Sequence, residues 1–170
     1  PGILEIDGAM DVAIEFSSLS KTFNMTGDRI GFAVGNKQLI AGLTKVKSQI
    51  DSGPPVYTQR VAVKALSSYK SADAPEFLKK NNQILSERRD LLFNTLTKLG
   101  FKCEKPKATF YMWVNIGGDS MAFAKKLLDV GVAATPGVGF GKNGEGFVRI
   151  TFTQPKARIA EACKRIEDAF

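Results

Sequence analysis

The spacing of apolar residues predicts five helices. Leu39, Leu43 and Val46, for example, recur at the three- and four-residue intervals of an amphipathic helix. The predicted helices span residues 37–50, 56–69, 74–100, 120–130 and 155–170. The third is the longest, with Pro75 near its start and Gly100 just after its end, as is usual for these two residues.

Five short apolar runs predict strands, because they are rich in β-forming residues and bounded by turn residues. They span residues 11–16, 30–35, 108–116, 131–137 and 147–153. The last three alternate with helices and predict a lobe of about three strands with helices packed on one face. The first two have no further strands nearby, although such runs are usually buried on both faces. We therefore expect the chain to be the C-terminal part of a larger protein, or to need a partner surface.

The composition is typical of a soluble globular protein, with 170 residues, 44% of them hydrophobic and 24% charged. The formal charge of +7 would permit nucleic-acid binding, but the basic residues are spread over the predicted helices. We interpret them as solvated helix faces and expect no nucleic-acid partner. No apolar run approaches the roughly 20 residues that a membrane span needs, and no signal-peptide pattern opens the chain. The predicted location is cytoplasmic, without membrane association.

The sequence contains no histidine and two cysteines, Cys103 and Cys163. Without histidine, Ser-His-Asp and Cys-His catalysis and imidazole-ligated metal sites are excluded, so acid–base chemistry must use lysine, tyrosine or carboxylates. Two distant cysteines suggest neither a disulfide framework nor a zinc site. We interpret both as small packing residues and expect no metal.

The segment "SSLSKTFNMTGDRIG" at 17–31 carries the candidate chemistry. Lys21 follows an apolar run, lies among hydroxyl residues and precedes Arg29 by eight positions. The carboxyl end of a buried strand is where ligands gather in α/β sheets. A partly desolvated amine near an arginine also has its charged form disfavoured, which covalent imine chemistry requires. The alternative is that Lys21 and Arg29 are surface charges flanking a turn, and spacing alone leaves both interpretations open.

The same segment resembles the cofactor-lysine segment of class I aminotransferases, which are pyridoxal-phosphate enzymes of fold type I. The resemblance covers essentially the whole chain, because further motifs follow in the family's order. They are the Gly-Pro-Pro loop, Gln59, the long helix, "KATFYMWV", "TPGVGFG" and "FVRITFT". The stretches "ILEIDGAMDVAIEF" and "NMTG" are most similar to the branch with LL-diaminopimelate and aspartate aminotransferases.

The resemblance implies an α/β chain, the C-terminal part of the fold type I architecture. Residues 1–73 would be the end of the large cofactor-binding domain with interdomain helices. Residues 74–170 would be a long bridging helix and an α+β small domain with about three strands. The resemblance also implies a homodimer.

The implied activity is transfer of an amino group between an amino acid and a 2-oxo acid with pyridoxal 5'-phosphate, as in amino-acid biosynthesis. Lys21 would hold the cofactor as a Schiff base, while Ser18 and Arg29 would bind its phosphate. Arg149 would bind the substrate α-carboxylate, for which a planar guanidinium is well suited.

The sequence also departs from the family pattern. The family's pyridine-binding aspartate lies further upstream of the lysine than the twenty residues that precede Lys21, and Asp7 and Asp11 are too close to replace it. We therefore expect the enzyme's N-terminal half to be missing and this chain to have little or no activity alone. The alternatives are an incomplete fragment that serves cofactor binding or assembly, and an anion- or nucleic-acid-binding protein that relies on its positive charge. Ser17 and Asp28 stand where the diaminopimelate branch has a histidine and an aromatic residue, so the substrate stays open.

Two motifs near Arg149 permit other interpretations. The glycines of "GVGFGKN", beginning at Gly137, miss the spacing of a phosphate-binding loop and lack its Ser or Thr, so we expect them to shape a loop beside Arg149. Phe110, Tyr111 and Trp113 suggest nucleic-acid stacking, but they alternate along a strand, and we expect core packing instead.

Overall fold

The computed structural model describes residues 2–170, and the chain separates into two compact units, Pro1–Leu78 and Lys79–Phe170. The domain division expected from the sequence lies at residue 73. Within residues 2–170, no helix is both long and apolar enough to cross a membrane.

The first unit contains two strands and a set of helices. Strands β1 (Ile14–Ser18) and β2 (Gly31–Gly35) pair with each other. The helices that lie entirely within this unit are α1 (Ala9–Val12), α2 (Leu19–Thr22), α3 (Lys37–Lys47) and α4 (Val56–Leu66), with short 3-10 turns at Ile3–Glu5 and Thr26–Asp28.

The strand predicted over 11–16 begins later than expected. Gly8 has a left-handed backbone (φ +79°) and starts the turn of α1, which closes with a 2.8 Å hydrogen bond from the Ala13 amide to the Ala9 carbonyl. Asp11 and Val12 therefore belong to helix α1 and not to the strand. The local hydrogen bonds decide this, and the alternation of apolar residues does not reveal them.

Strands β1 and β2 are antiparallel, with Ile14 opposite Gly35 and Ser18 opposite Gly31. The two backbones approach closely at both ends of the ladder. A Cβ atom on Gly31 would lie 2.7 Å from the Ser17 carbonyl oxygen, and one on Gly35 would lie 2.4 Å from that of Ala13. Only glycine fits these two positions without displacing the partner strand.

The prediction that these strands are buried is wrong. Phe16 is 67% exposed and Val34 is 43% exposed. A ribbon of two strands has too few neighbours to cover both of its faces. The buried core of this unit lies instead around Leu19, Met25 and Ala62.

The next helices, α3 and α4, begin where the sequence predicts, but each ends three residues before its predicted end. The Asn36 side chain caps α3 by accepting hydrogen bonds from the amides of Gln38 and Leu39 at 2.9 and 3.0 Å. The segment 51–55 is irregular, and α4 begins directly after Pro55.

Helix α5 (Glu76–Lys98) confirms the long predicted helix. Gly100 ends it with a left-handed backbone (φ +86°), and the Phe101 amide donates to the Leu96 carbonyl at 3.0 Å. Leu92 and Leu96 are buried in the core of the second unit.

The second unit is built on a four-stranded antiparallel sheet in the order β3-β4-β6-β5. Its elements are β3 (Lys102–Cys103), β4 (Tyr111–Asn115), α6 (Ser120–Asp129), β5 (Thr135–Pro136), β6 (Phe147–Thr151) and α7 (Lys156–Ala169), with 3-10 turns at Gly137–Phe140 and Lys142–Gly144. Sequence reasoning missed β3, because two residues are too few to display an alternating pattern.

The two central strands direct one face of the sheet into the core. Met112 and Val114 of β4 and Val148 of β6 are fully buried. Tyr111 is half-buried, whereas Trp113 is 40% exposed, and both point away from that core because side chains alternate along a strand. The predicted core packing is therefore right for Phe110, which contacts the cluster, and wrong for Tyr111 and Trp113.

The cysteines behave as packing residues. Cys163 is buried in the core, Cys103 packs against it, and both are free thiols. Burial raises the pKa of each thiol above its ordinary value, which favours the protonated, less reactive form.

We expect Gly31→Ala to weaken the β1–β2 ladder by about 1–3 kcal/mol, because its methyl group must displace the Ser17 carbonyl. Hydrogen exchange of the backbone amides in 14–18 and 31–35 measures the effect. Gly42→Ala is the matched control, since Gly42 has open space and lies inside α3, where alanine stabilises by up to about 1 kcal/mol. Unchanged exchange in the Gly31 variant would contradict the close approach.

Candidate functional site

Lys21 lies in the four-residue helix α2, directly after β1. The Ser18 hydroxyl caps this helix by accepting a hydrogen bond from the Ser20 amide at 3.2 Å. Leu19 and Ser20 are buried, whereas the Lys21 side chain is exposed. Contrary to the sequence prediction, Lys21 does not follow a buried strand, and its position is fixed by the buried residues just before it.

The β1–β2 ladder brings Arg29 next to this turn. Ser18 pairs with Gly31, and the Leu19 amide donates to the Ile30 carbonyl at 3.3 Å. Pairing of the two strands therefore closes the loop 19–30, so that Arg29 returns to the end of the ladder from which α2 departs.

Two side-chain hydrogen bonds hold the loop in shape. The Thr26 hydroxyl donates to the Ser20 carbonyl at 3.1 Å, and Arg29 Nη1 donates to the Thr26 carbonyl at 2.9 Å. Arg29 itself has a left-handed backbone (φ +52°, ψ +52°), which is uncommon for a residue with a side chain. Such conformations cluster at functional sites, because the surrounding structure must hold them.

Ser18, Lys21 and Arg29 are thus collected at one end of the ladder, and all three side chains are exposed. The set offers a hydroxyl, an amine and a forked guanidinium. A hydroxyl and a guanidinium are suitable donors for a phosphate, and a lysine amine reacts with an aldehyde. This donor set fits pyridoxal phosphate.

Arg149 lies in the second unit, on β6, opposite Trp113 of β4. Its guanidinium carbon is 4.2 Å from the centre of the Tyr111 ring and 4.5 Å from the centre of the Phe140 ring. Within residues 79–170 its buried Nε atom has no hydrogen-bond partner. A cationic side chain held by ring contacts, with an unpaired nitrogen, is the kind of group that binds a carboxylate.

The glycine-rich loop lies beside Arg149, as the sequence predicts, because Phe140 belongs to it. Gly137 and Gly144 allow its two arms to touch, since a Cβ atom on Gly137 would overlap the Gly144 carbonyl oxygen. Glu145 anchors the loop to the start of α6. Its carboxylate accepts hydrogen bonds from the Ser120 amide at 2.7 Å and the Ser120 hydroxyl at 3.1 Å.

Sequence reasoning did not find Tyr111, Phe140 or Glu145 as neighbours of the Arg149 site. The alternation along β4 carried part of the signal, because it puts Tyr111 on the same face as Trp113. The strand register and the path of the loop carried the rest, and neither is visible in the sequence.

Comparisons with known proteins identify the family of this chain. A family model described as aminotransferase class I and II matches residues 3–166. The chain belongs to this family. Class I aminotransferases depend on pyridoxal phosphate, and this chain has the fold of the C-terminal part of a fold type I aminotransferase.

Two relatives in sequence carry the name LL-diaminopimelate aminotransferase. The protein of Nitratidesulfovibrio vulgaris Hildenborough is 47% identical over 169 residues, which are 98% of this chain and 42% of that protein. The protein of Natranaerobius thermophilus is 47% identical over 171 residues, 99% of this chain and 43% of that protein. This aminotransferase chain therefore spans less than half the length of these relatives.

Solved structures show the same relationship. A protein described as a probable N-succinyldiaminopimelate aminotransferase from Thermus thermophilus has 36% identity and a TM-score of 0.87, over 98% of this chain and 44% of that chain. Aspartate aminotransferase from Thermus thermophilus with maleate has 31% identity and a TM-score of 0.84, over 95% and 42%. The predicted fold class is confirmed, with four strands in the small-domain sheet instead of three.

We expect Glu145→Ala to destabilise the second unit of the aminotransferase chain by about 1–2 kcal/mol, because the buried Ser120 amide and hydroxyl lose their acceptor. Urea unfolding followed by the fluorescence of Trp113 measures this, since Trp113 is the only tryptophan and lies in the second unit. Glu104→Ala, at an exposed residue outside helices and strands, is the control and should change stability little. Equal stability of the two variants would contradict an anchoring role for Glu145.

Proposed function

We propose that this chain is the C-terminal portion of a pyridoxal-phosphate aminotransferase that moves an amino group between an amino acid and a 2-oxo acid. The observation that carries the proposal is the grouping of Ser18, Lys21 and Arg29 at one end of the β1–β2 ladder. Family membership supports it, because class I and II aminotransferases catalyse this reaction.

In the proposed site, Lys21 holds the cofactor through its amine, and Ser18 and Arg29 hold the cofactor's phosphate. When bound, the cofactor supplies an electron sink that stabilises negative charge at the substrate α-carbon. Once the amino group of the substrate has displaced it from the cofactor, the freed Lys21 amine would take the proton from that carbon and deliver it to the cofactor carbon. Arg29 suits the phosphate because its fork makes two parallel charge-assisted hydrogen bonds.

Arg149 is proposed to bind the substrate α-carboxylate. Its guanidinium matches a planar carboxylate, and the neighbouring rings of Tyr111 and Phe140 exclude water from part of its surface. Binding through the α-carboxylate is common to all amino acids, so Arg149 alone does not select the side chain.

The substrate assignment follows the named relatives. Two of them are LL-diaminopimelate aminotransferases, and we propose that the complete enzyme belongs to that branch. Ser17 and Asp28 depart from the branch pattern and lie close to Lys21 and Arg29 in the chain, so we infer that they alter substrate preference. A homodimer and a cytoplasmic location complete the proposal.

A second role is also supported by the structure. Large apolar side chains on the first unit are exposed, including Phe16 at 67% and Tyr57 at 69%. Surfaces of this kind mark contacts with other protein segments. The chain would then serve cofactor binding or assembly and need further polypeptide for catalysis.

Incubation with pyridoxal phosphate and borohydride reduction should give a covalent adduct at Lys21 in preference to the other lysines. Peptide mapping by mass spectrometry measures the occupancy of each lysine. Arg29→Ala should reduce occupancy at Lys21 by about tenfold or more at subsaturating cofactor, because one charge-assisted phosphate contact contributes about 1.5–3 kcal/mol.

Lys37, at the start of α3, is the internal control for this labelling, and its occupancy should not change in the Arg29 variant. Labelling that is uniform over the lysines, or that Arg29→Ala leaves unchanged, would mean that Ser18, Lys21 and Arg29 do not form a cofactor site.

We expect the 170-residue chain alone to show little or no transaminase turnover, even when saturated with cofactor. The pyridine nitrogen needs an acidic partner for the cofactor to act as an effective electron sink, and the family supplies it from a part of the enzyme that lies outside this chain. A coupled assay with LL-diaminopimelate or aspartate as amino donor measures turnover. Adding the N-terminal portion of a relative should raise the rate, whereas robust turnover by the chain alone would contradict the expectation.

A further inference from the structure

The Arg149 side chain is held by aromatic rings rather than by acidic partners. Its guanidinium carbon lies over the rings of Tyr111 and Phe140, at 4.2 and 4.5 Å from their centres. Its Nε atom is buried and has no hydrogen-bond partner within residues 79–170. The side chain as a whole is half-buried, so its exposed part lies elsewhere than at Nε.

The two rings come from supports that are themselves well fixed. Tyr111 begins β4, one of the two central strands, and pairs with Thr151. Phe140 ends the 3-10 turn Gly137–Phe140, and its ring packs against Trp113 with 5.1 Å between ring centres.

The loop that carries Phe140 is held by hydrogen bonds to Ser120. The Ser120 hydroxyl accepts a hydrogen bond from the Val138 amide at 3.3 Å and donates one to Glu145 at 3.1 Å. Ser120 is completely buried, so the Ser120 end of this link is shielded from water. The position of the Phe140 ring is therefore tied to the core of the unit.

Ring contacts leave the N–H donors and the charge of a guanidinium available for a ligand. A cation over a ring face interacts with the ring quadrupole and spends none of its N–H donors. An acidic neighbour would instead occupy those donors and neutralise the charge. Arg149 is thereby oriented without losing the charge or the fork that a carboxylate needs.

We propose that Tyr111 and Phe140 are positioning residues that pre-orient the Arg149 guanidinium for the carboxylate of the substrate. This inference rests on the proposed role of Arg149 and goes beyond it, because it states what sets the affinity of the site. Ordering a long arginine side chain costs free energy on binding, and a side chain that is already held avoids most of that cost.

The test uses NMR of the arginine Nε–Hε groups in the 170-residue chain, with succinate as the probe and succinamide as its uncharged control. Arg149→Lys assigns the Arg149 signal and removes the fork while it keeps the charge. In the wild-type chain the Arg149 signal should be shifted by the ring currents, and it should move further on titration with succinate but not with succinamide.

The double variant Tyr111→Leu/Phe140→Leu should lose the ring-current shift and bind succinate about tenfold more weakly, as expected from two cation–π contacts. Tyr111→Phe, which keeps a ring, should retain both. Tyr57→Leu, at an exposed tyrosine of α4 in the other unit, is the control for loss of an aromatic side chain. Circular dichroism verifies that each variant is folded.

The outcomes separate the two proposals. If the double variant binds succinate as tightly as wild type while Arg149→Lys does not, the positioning role is wrong and the carboxylate role of Arg149 stands. If Arg149→Lys binds as tightly as wild type, the carboxylate role itself is wrong. If the wild-type chain shows no response to succinate, Arg149 is not pre-oriented for carboxylates in this chain, and the inference is rejected. If the double variant does not fold, the single variant Tyr111→Leu carries the same comparison, with a smaller expected loss of affinity.

Discussion

The close antiparallel pairing of β1 with β2 is the constraint on which the candidate cofactor site depends. Without it, Ser18 and Arg29 would be separated by the whole loop between them. With it, Ser18 pairs with Gly31 and the loop closes onto α2. Gly31 and Gly35 make the pairing possible, because any side chain there would meet the partner backbone. Lys21 is therefore placed by its neighbours, since Leu19 and Ser20 are buried and Lys21 is not.

The second ladder, between β4 and β6, positions Arg149 in the same way. Alternation sends Met112 and Val148 into the core and leaves Trp113 and Arg149 opposite each other on the other face. Aromatic residues on that face then surround a cation instead of filling a core. This explains why aromatic alternation alone suggested core packing: periodicity identifies two faces of a strand, but it does not say what covers each of them.

The strands of the first unit have apolar faces that the described residues leave largely exposed. These strands carry apolar side chains on both faces, as strands inside a larger sheet do, yet a ribbon of two strands covers neither face. The chain spans 42% of the length of its relative from Nitratidesulfovibrio vulgaris. Phe16 and Tyr57 lie exposed in a chain that otherwise follows the helix and strand pattern of its sequence closely. The proposed catalysis and the proposed assembly therefore both depend on polypeptide that covers these apolar faces.

The sequence by itself determined helices α3 to α7 and the family, because these rest on local signals: apolar spacing, Pro75 and Gly100 around α5, and several motifs that follow in the family's order. It did not determine strand β3, the turn at α1, the exposure of β1 or the ring contacts of Arg149. Each of these depends on which backbone lies beside which, and strand pairing joins residues that are far apart in the chain. Only the tertiary structure decided that Arg29 returns to Ser18 and that Tyr111 and Phe140 meet at Arg149.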